Sequence, residues 1–311
     1  MNKQEVSNRC AIPGVLTFSE NEQGSLKAAI TTGACSGEIY LQGAHLTRWQ
    51  PVGHEPVLFL SDRSSFQPGK AIRGGIPIIF HWFGARTATA FSSRTDGPSH
   101  GFARTSNWQL DSATMRGADL ELRLMLEPNE TSRSLGYDAF RLTYTITMGA
   151  ALQLELTVDN TSGSPLQFEE ALHTYLMVGD VEQSIINGLA NTEYFDKTDD
   201  FKKKRQTDAA FSLKGETDRP YVNTEAEVEI ADPVLNRRII VSKQNSQTTV
   251  VWNPWSEGTA KLSDLSPDSW RQMLCIETAN AMENAVTIEP GSQHKMQGRI
   301  TVTSIPDGVA I

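Results

Sequence analysis

The fold class that this sequence predicts is all-β, a large antiparallel β-sandwich, and three observations predict it. Strict alternation is the first: Leu120, Leu122, Leu124 and Leu126 interleave with Glu121, Arg123 and Met125, and the same period recurs at Leu142–Met148 and Leu152–Val158. In a strand successive side chains point to opposite faces, so each of these segments has one apolar and one polar face. The second observation is Gly149-Ala150 between two alternating runs, which reads as a hairpin turn. The third is that no window of ordinary helix length carries an i, i+3, i+4, i+7 stripe with caps. Two facing sheets are the usual way to bury so many half-apolar strands. No linker-like stretch divides the chain, so residues 1–311 read as one sandwich domain.

Taken in order, short strands are expected around Leu26–Ile30, Glu38–Leu41 and Val57–Leu60, separated by turn-rich segments. Ile72–Gly84 is apolar and aromatic, but Arg73-Gly74-Gly75 and Pro77 argue against a regular central strand. Ala85–Ser99 is rich in Ser, Thr, Gly and Asp and reads as a long surface loop, a type of segment that is commonly functional. After the three alternating runs, further strands are expected at Leu166–Leu176, Ala226–Ile230, Arg237–Ser242, Thr248–Trp252, Arg271–Thr278, Val286–Ile288 and Met296–Thr303.

Composition narrows the function classes. The chain has 28 Lys+Arg against 37 Asp+Glu, a formal net charge of −9, which disfavours nucleic acid or an anionic membrane as general partners. An anionic small molecule then needs locally placed basic residues. Cys10, Cys35 and Cys275 are odd in number and far apart, so neither a disulfide framework nor a zinc motif is indicated. The first residues lack an apolar signal-peptide core, and no run of about 18 apolar residues is present. A reducing compartment, the cytoplasm, is the expectation, and the sequons at Asn129 and Asn160 are then coincidental.

Several polar residues stand out against this apolar pattern. In Phe168-Glu-Glu-Ala-Leu-His-Thr-Tyr-Leu176, alternation puts Phe168, Leu172 and Leu176 on one face and Glu169, Ala171, His173 and Tyr175 on the other. His173 thus faces either a hydrogen-bonded structural position or a cleft where an imidazole exchanges protons near neutrality. Arg73-Gly-Gly is either a turn with a solvated Arg or a backbone that approaches an anionic ligand. His100-Gly-Phe-Ala-Arg104, read as extended, places His100 and Arg104 on one face. Asp196 lies in Tyr194-Phe-Asp-Lys197, where an aspartate ordinarily binds backbone N–H groups. Lys202–Arg205 reads as a solvated loop, Trp252 and Trp255 as core or as sugar-stacking indoles, and Glu277 as a lone carboxylate on a core-like strand that needs a cation or a polar cavity.

The succession Arg73-Gly-Gly-Ile-Pro, His100-Gly-Phe-Ala-Arg, Ala171-Leu-His-Thr-Tyr, Tyr194-Phe-Asp-Lys, Val251-Trp-Asn-Pro-Trp and Cys275-Ile-Glu-Thr resembles the hexose-6-phosphate mutarotases, the glucose-6-phosphate 1-epimerase branch of the aldose 1-epimerase superfamily. The resemblance implies a galactose mutarotase-like sandwich that interconverts α and β anomers of a hexose 6-phosphate. Position by position it implies His173 as general acid and Glu277 as general base. It further implies that Arg73, His100 and Arg104 bind substrate and that Asp196 fixes a sugar hydroxyl. His81 departs from the pattern, standing where relatives often have proline.

Anomer exchange removes the proton of the C1 hydroxyl, protonates the ring oxygen and opens the ring, which two groups on opposite sides of C1–O5 accomplish. It requires no cofactor and no metal, in keeping with the absence of His-Glu-x-x-His, Cys-x-x-Cys and dinucleotide-binding glycine patterns. Two other readings fit parts of the pattern. A glycoside hydrolase would draw two carboxylates from Glu169, Glu170 and Glu277. A non-catalytic sugar-phosphate sensor or lectin-like module would keep the binding residues but need no His173–Glu277 pair.

Overall fold

The computed structural model describes residues 2–305. Two nine-stranded antiparallel sheets lie face to face, and a four-stranded sheet built from Leu16–Glu20, Leu26–Thr31, Cys35–Tyr40 and His45–Pro51 adjoins them. The second of these nine-stranded sheets contains the alternating runs: Gln109–Arg116, Asp119–Leu126, Phe140–Met148, Leu152–Asn160 and Gln293–Ser304 are consecutive neighbours. Burial along Asp119–Leu126 alternates as the sequence does, with Leu120, Leu122, Leu124 and Leu126 inside. Fully burying each such leucine is worth about 1.5–3 kcal/mol, so a register slip that exposed this row would cost the sandwich its core. The hairpin forms as expected, with Met148 opposite Leu152.

The first nine-stranded sheet carries the polar residues. Its path runs Lys202–Arg205, Glu193–Asp196, Thr217–Val222, Thr248–Asn253, Met273–Asn280, Leu166–Leu172 and Val286–Ile288. Tyr175–Met177 pairs with Met273–Asn280, and Ile78–His81 with Leu166–Leu172. Phe168, Leu172, Leu274 and Ile276 on one face enter the core shared with the other sheet. The opposite face carries two smaller apolar clusters, Phe59, Tyr175, Leu265, Met273 and Cys275 in one and Ile79, Ala171, Val250 and Ala279 in the other.

Several expectations are corrected. A helix, Lys3–Cys10, is present; Asn2 and Glu5 form a reciprocal capping box, a local signal that the apolar periodicity does not carry. Val57–Leu60 makes only isolated bridges at Leu58 and Leu60. Lys202–Arg205 is an edge strand paired with Glu193–Asp196, its cations matched by Glu193, Asp196 and Asp199. Lysine-rich edges discourage further strand pairing. Gly74 and Gly75 serve close packing of backbone on backbone: with φ of 109° and 63°, an added Cβ would lie 2.5 Å from the Phe59 carbonyl oxygen and 2.3 Å from that of Leu46. The three cysteines are buried and unpaired. No helix among the described residues is long and apolar enough to cross a membrane.

Candidate active site

Register is what brings His173 to Glu277. Leu172 pairs with Thr278 on one side and Tyr175 with Cys275 on the other, so across the break in the strand at His173 and Thr174 the position facing His173 is Glu277. His173 Nε2 lies 3.4 Å from Glu277 Oε1, and both side chains are buried, at 8% and 1% exposure. His173 Nδ1 and Glu277 Oε2 have no hydrogen-bond partner among the described residues. Burial, reinforced by His100, Arg104 and Arg73, pushes the His173 pKa well below its ordinary value. Burial and the nearby Asp218 carboxyl push that of Glu277 well above the carboxylate range, against the opposing pull of Lys197 and Arg104. Both shifts favour a pair that shares one proton and carries no net charge.

The imidazole is held on three sides. Tyr175 stacks on it at 4.7 Å and 8°, and Trp252 and His100 present edge contacts at 5.9 and 5.6 Å. Its backbone N–H donates to the Pro77 carbonyl and that of Tyr175 to Gly75, which draws the Arg73-Gly-Gly segment alongside. Arg73 then donates from Nη1 to the Tyr175 hydroxyl at 3.0 Å and from Nε to Asp264 at 3.1 Å. Of the two indoles in Trp252-Asn-Pro-Trp255, Trp252 walls the site while Trp255 packs on Trp270 at 4.4 Å.

His100 and Arg104 reach the cluster by a route other than the extended one expected. His100 has φ of 64° and Ala103–Thr105 is a 3-10 turn, with Phe102 in the core between them. Gly84 N–H donates to His100 Nδ1 at 3.3 Å, which leaves Nε2 as the protonated nitrogen of the neutral ring. Burial, with Arg104, Lys197 and Arg73 nearby, lowers the His100 pKa to about 3 and keeps the ring neutral. Arg104 donates from Nη2 to the Ser99 carbonyl at 2.8 Å.

Asp196 is not brought into this cluster. Tyr194 pairs with Tyr221, and Pro220 with Val250, which pairs in turn with Glu277. Alternation therefore sets Tyr194 and Asp196 on the opposite face of the sheet from Glu277, and Lys197 and Asp218 on the same face. Asp196 accepts from Thr198 and from Lys204 at 2.9 Å. Lys197 Nζ bonds Asp218 Oδ2 at 2.6 Å and lies 5.7 Å from the Phe83 ring centre. Alternation already sets Tyr175 on the His173 face, whereas sequence reasoning missed Asp218, Lys197 and Asp264 as neighbours of the pair; for Lys197 the local signal was its parity against Asp196.

Of the three glutamates that a glycosidase would draw on, two are engaged elsewhere. Glu170 is fully buried on the core face, bonded to Asn280 and His294. Glu169 accepts from two backbone N–H groups, those of Phe83 and Met282. His81 stacks on Tyr137 at 3.8 Å and lines a cavity of about 540 Å³, with Trp82, Arg86 and Phe91, whose walls include neither His173 nor Glu277. The long loop over 85–99 has no regular structure and is anchored by the buried Arg86, sandwiched between Trp82 and Tyr137.

A family model described as aldose 1-epimerase matches residues 27–301. Among curated relatives, a "Putative glucose-6-phosphate 1-epimerase" of Cenchrus ciliaris is 30% identical over 292 residues, covering 90% of this chain and 85% of its own length. One of the same name from Escherichia coli K12 is 33% identical over 257 residues, covering 83% and 84%. Among solved structures, a "putative mutarotase" from Salmonella typhimurium superposes with a TM-score of 0.87 at 29% identity, over 95% of this chain and 96% of that one.

Proposed function

The chain belongs to the aldose 1-epimerase family and is an enzyme of anomer interconversion; from that premise we propose that its substrate is a hexose 6-phosphate, with His173 and Glu277 as the acid and base. The observation that carries this reading is the 3.4 Å approach of His173 Nε2 to Glu277 Oε1. Chemistry alone asks for two groups on opposite sides of C1–O5, and the structure instead sets them side by side. Set edge to edge, they suit the two oxygens bonded to one anomeric carbon.

Glu277 as carboxylate takes the C1 hydroxyl proton, and His173 as imidazolium gives its proton to O5; the C1–O5 bond breaks and C1 becomes the aldehyde. Rotation about C1–C2 and reversal of both transfers yield the other anomer. The pair holds one proton before ring opening and one after, so neither stage leaves a net charge buried between them. Arg73 and Arg104 are the guanidinium groups assigned to the phosphate. A dianion there forms charge-assisted hydrogen bonds in a protein otherwise acidic. The neutral His100 offers Nε2–H to a sugar oxygen, and Lys197 with Asp218 supplies polar groups on the same face as Glu277.

The test is the anomeric relaxation of freshly dissolved α-glucose 6-phosphate, followed by polarimetry or NMR. Catalysed relaxation of the phosphate ester, faster than that of free glucose at equal concentration, is the expected result. Binding of the sugar phosphate with relaxation unchanged would instead identify a sensor.

A further inference from the structure

Glu169 is four positions before His173, on the same face of its strand segment, and the proton transfers make no use of it. Its carboxylate accepts the Phe83 N–H at 2.8 Å through Oε2 and the Met282 N–H at 2.6 Å through Oε1. The two donors belong to separate segments: Phe83 follows Ile78–His81, and Met282 follows Met273–Asn280, the strand of Glu277. One carboxylate thus ties the continuations of both strands that flank its own.

Phe83 and Gly84 bear directly on His100. The Phe83 ring meets the imidazole edge-on at 4.9 Å. Gly84 N–H donates to His100 Nδ1, and the Gly84 carbonyl accepts the His100 backbone N–H at 2.7 Å. Upstream, the Phe80 carbonyl accepts the Phe102 N–H at 2.9 Å, and an added Cβ at Gly101 would lie 1.9 Å from that same oxygen. Residues 80–84 and 98–102 are therefore one unit, with little freedom to adjust around a displaced Phe83.

We propose that Glu169 is a positioning residue for the reaction: by holding the Phe83 and Met282 N–H groups it places Gly84 so that His100 is locked in the tautomer that presents Nε2–H to the sugar. The proposal rests on the reading of His100 as a sugar-binding residue. Glu169 touches no reacting atom and acts through the backbone of Phe83 and Gly84. A carboxylate suits this task because it offers acceptors on both oxygens. An amide of the same shape offers one acceptor and turns an NH2 toward the other N–H.

The experiment uses the full chain with Glu169→Gln, steady-state anomer exchange on glucose 6-phosphate, and the ring ¹⁵N signals of His100 near pH 7, assigned by their loss in His100→Ala. Wild-type protein should show the Nε2–H tautomer. Glu169→Gln should shift those signals toward a tautomer mixture and raise KM roughly five- to tenfold, the worth of one misaligned hydrogen bond, with kcat close to wild type. A lowered Tm with both KM and the His100 signals unchanged would make Glu169 purely structural and overturn the proposal. Should Glu169→Gln not fold, Glu169→Asp keeps the charge but lacks the reach to both donors. Wild-type KM and tautomer in that variant would equally overturn it. His100→Ala separates the two claims: unchanged KM there removes the sugar-binding reading, while the tautomer response to Glu169→Gln still stands or falls by itself.

Discussion

Replacing Glu277 by Gln removes the proposed base while keeping the shape of the side chain, and His173→Asn removes the proposed acid. Glu277 is 1% exposed and driven toward its protonated form, which an amide resembles, so folding stability should be little affected by the first change. Each proton transfer is worth about 10²–10⁴-fold, so each single variant should lose kcat by that factor with sugar-phosphate binding largely retained. The two atoms lie 3.4 Å apart, and in the proposed mechanism they hold one proton between them, so neither should function alone. Independent groups would multiply their losses to about 10⁴–10⁸-fold, whereas a unit gives a double variant within about tenfold of the worse single one.

The pH profile of kcat/KM follows from the same burial. Adding a second proton creates a buried cation, which the lowered His173 pKa opposes; removing the only proton creates a buried anion, which the raised Glu277 pKa opposes. The acid limb should therefore fall well below the ordinary histidine range and the alkaline limb well above the ordinary carboxylate range. Both limbs belong to the pair rather than to either residue. Anomer exchange measured by NMR across pH on the three variants is the assay. Multiplicative losses in the double variant, or an acid limb at the ordinary histidine value of 6.5, would refute the reasoning.

Arg73→Ala and Arg104→Ala should each raise KM for glucose 6-phosphate far more than for free glucose, since loss of a charge-assisted bond costs about 1.5–3 kcal/mol; equal effects on both sugars would remove the phosphate assignment. A stability prediction comes from Lys243, cross-strand from Gly298, whose Nζ is buried with no hydrogen-bond partner among the described residues and whose pKa is lowered to about 7, chiefly by burial. Between that value and 10.5 the unfolded chain holds a proton that the folded chain does not, so stability should rise with pH across this window. The shift corresponds to roughly 4–5 kcal/mol as an upper figure, and Lys243→Met should recover a large part of it at pH 6 and flatten the slope above pH 7 in denaturant titrations. An unchanged slope would show that the ammonium reaches water.

Local alternation was enough to determine the strands over 119–160, because one face of each is apolar and the period declares itself within a few residues. It was enough, too, to mark His173 and Glu277 as polar residues on otherwise apolar strands, and to set Glu169 and Tyr175 on the His173 face. What alternation cannot supply is the partner strand. That His173 faces Glu277 depends on the ladder of pairs from Glu170–Asn280 to Tyr175–Cys275, a long-range register that no local pattern encodes. The same holds for Asp196 and Lys197: alternation alone sets these neighbours on opposite faces, but only the pairing of Tyr194 with Tyr221 decides that Lys197, not Asp196, takes the Glu277 face. Tyr175, Trp252 and Asp218 become neighbours because antiparallel strands distant in the chain lie side by side, and side chains paired across a ladder share a face whatever their separation in sequence; Arg73 and Asp264 join them from a bend and a turn outside the strands, through the bonds of Arg73 to Tyr175 and Asp264.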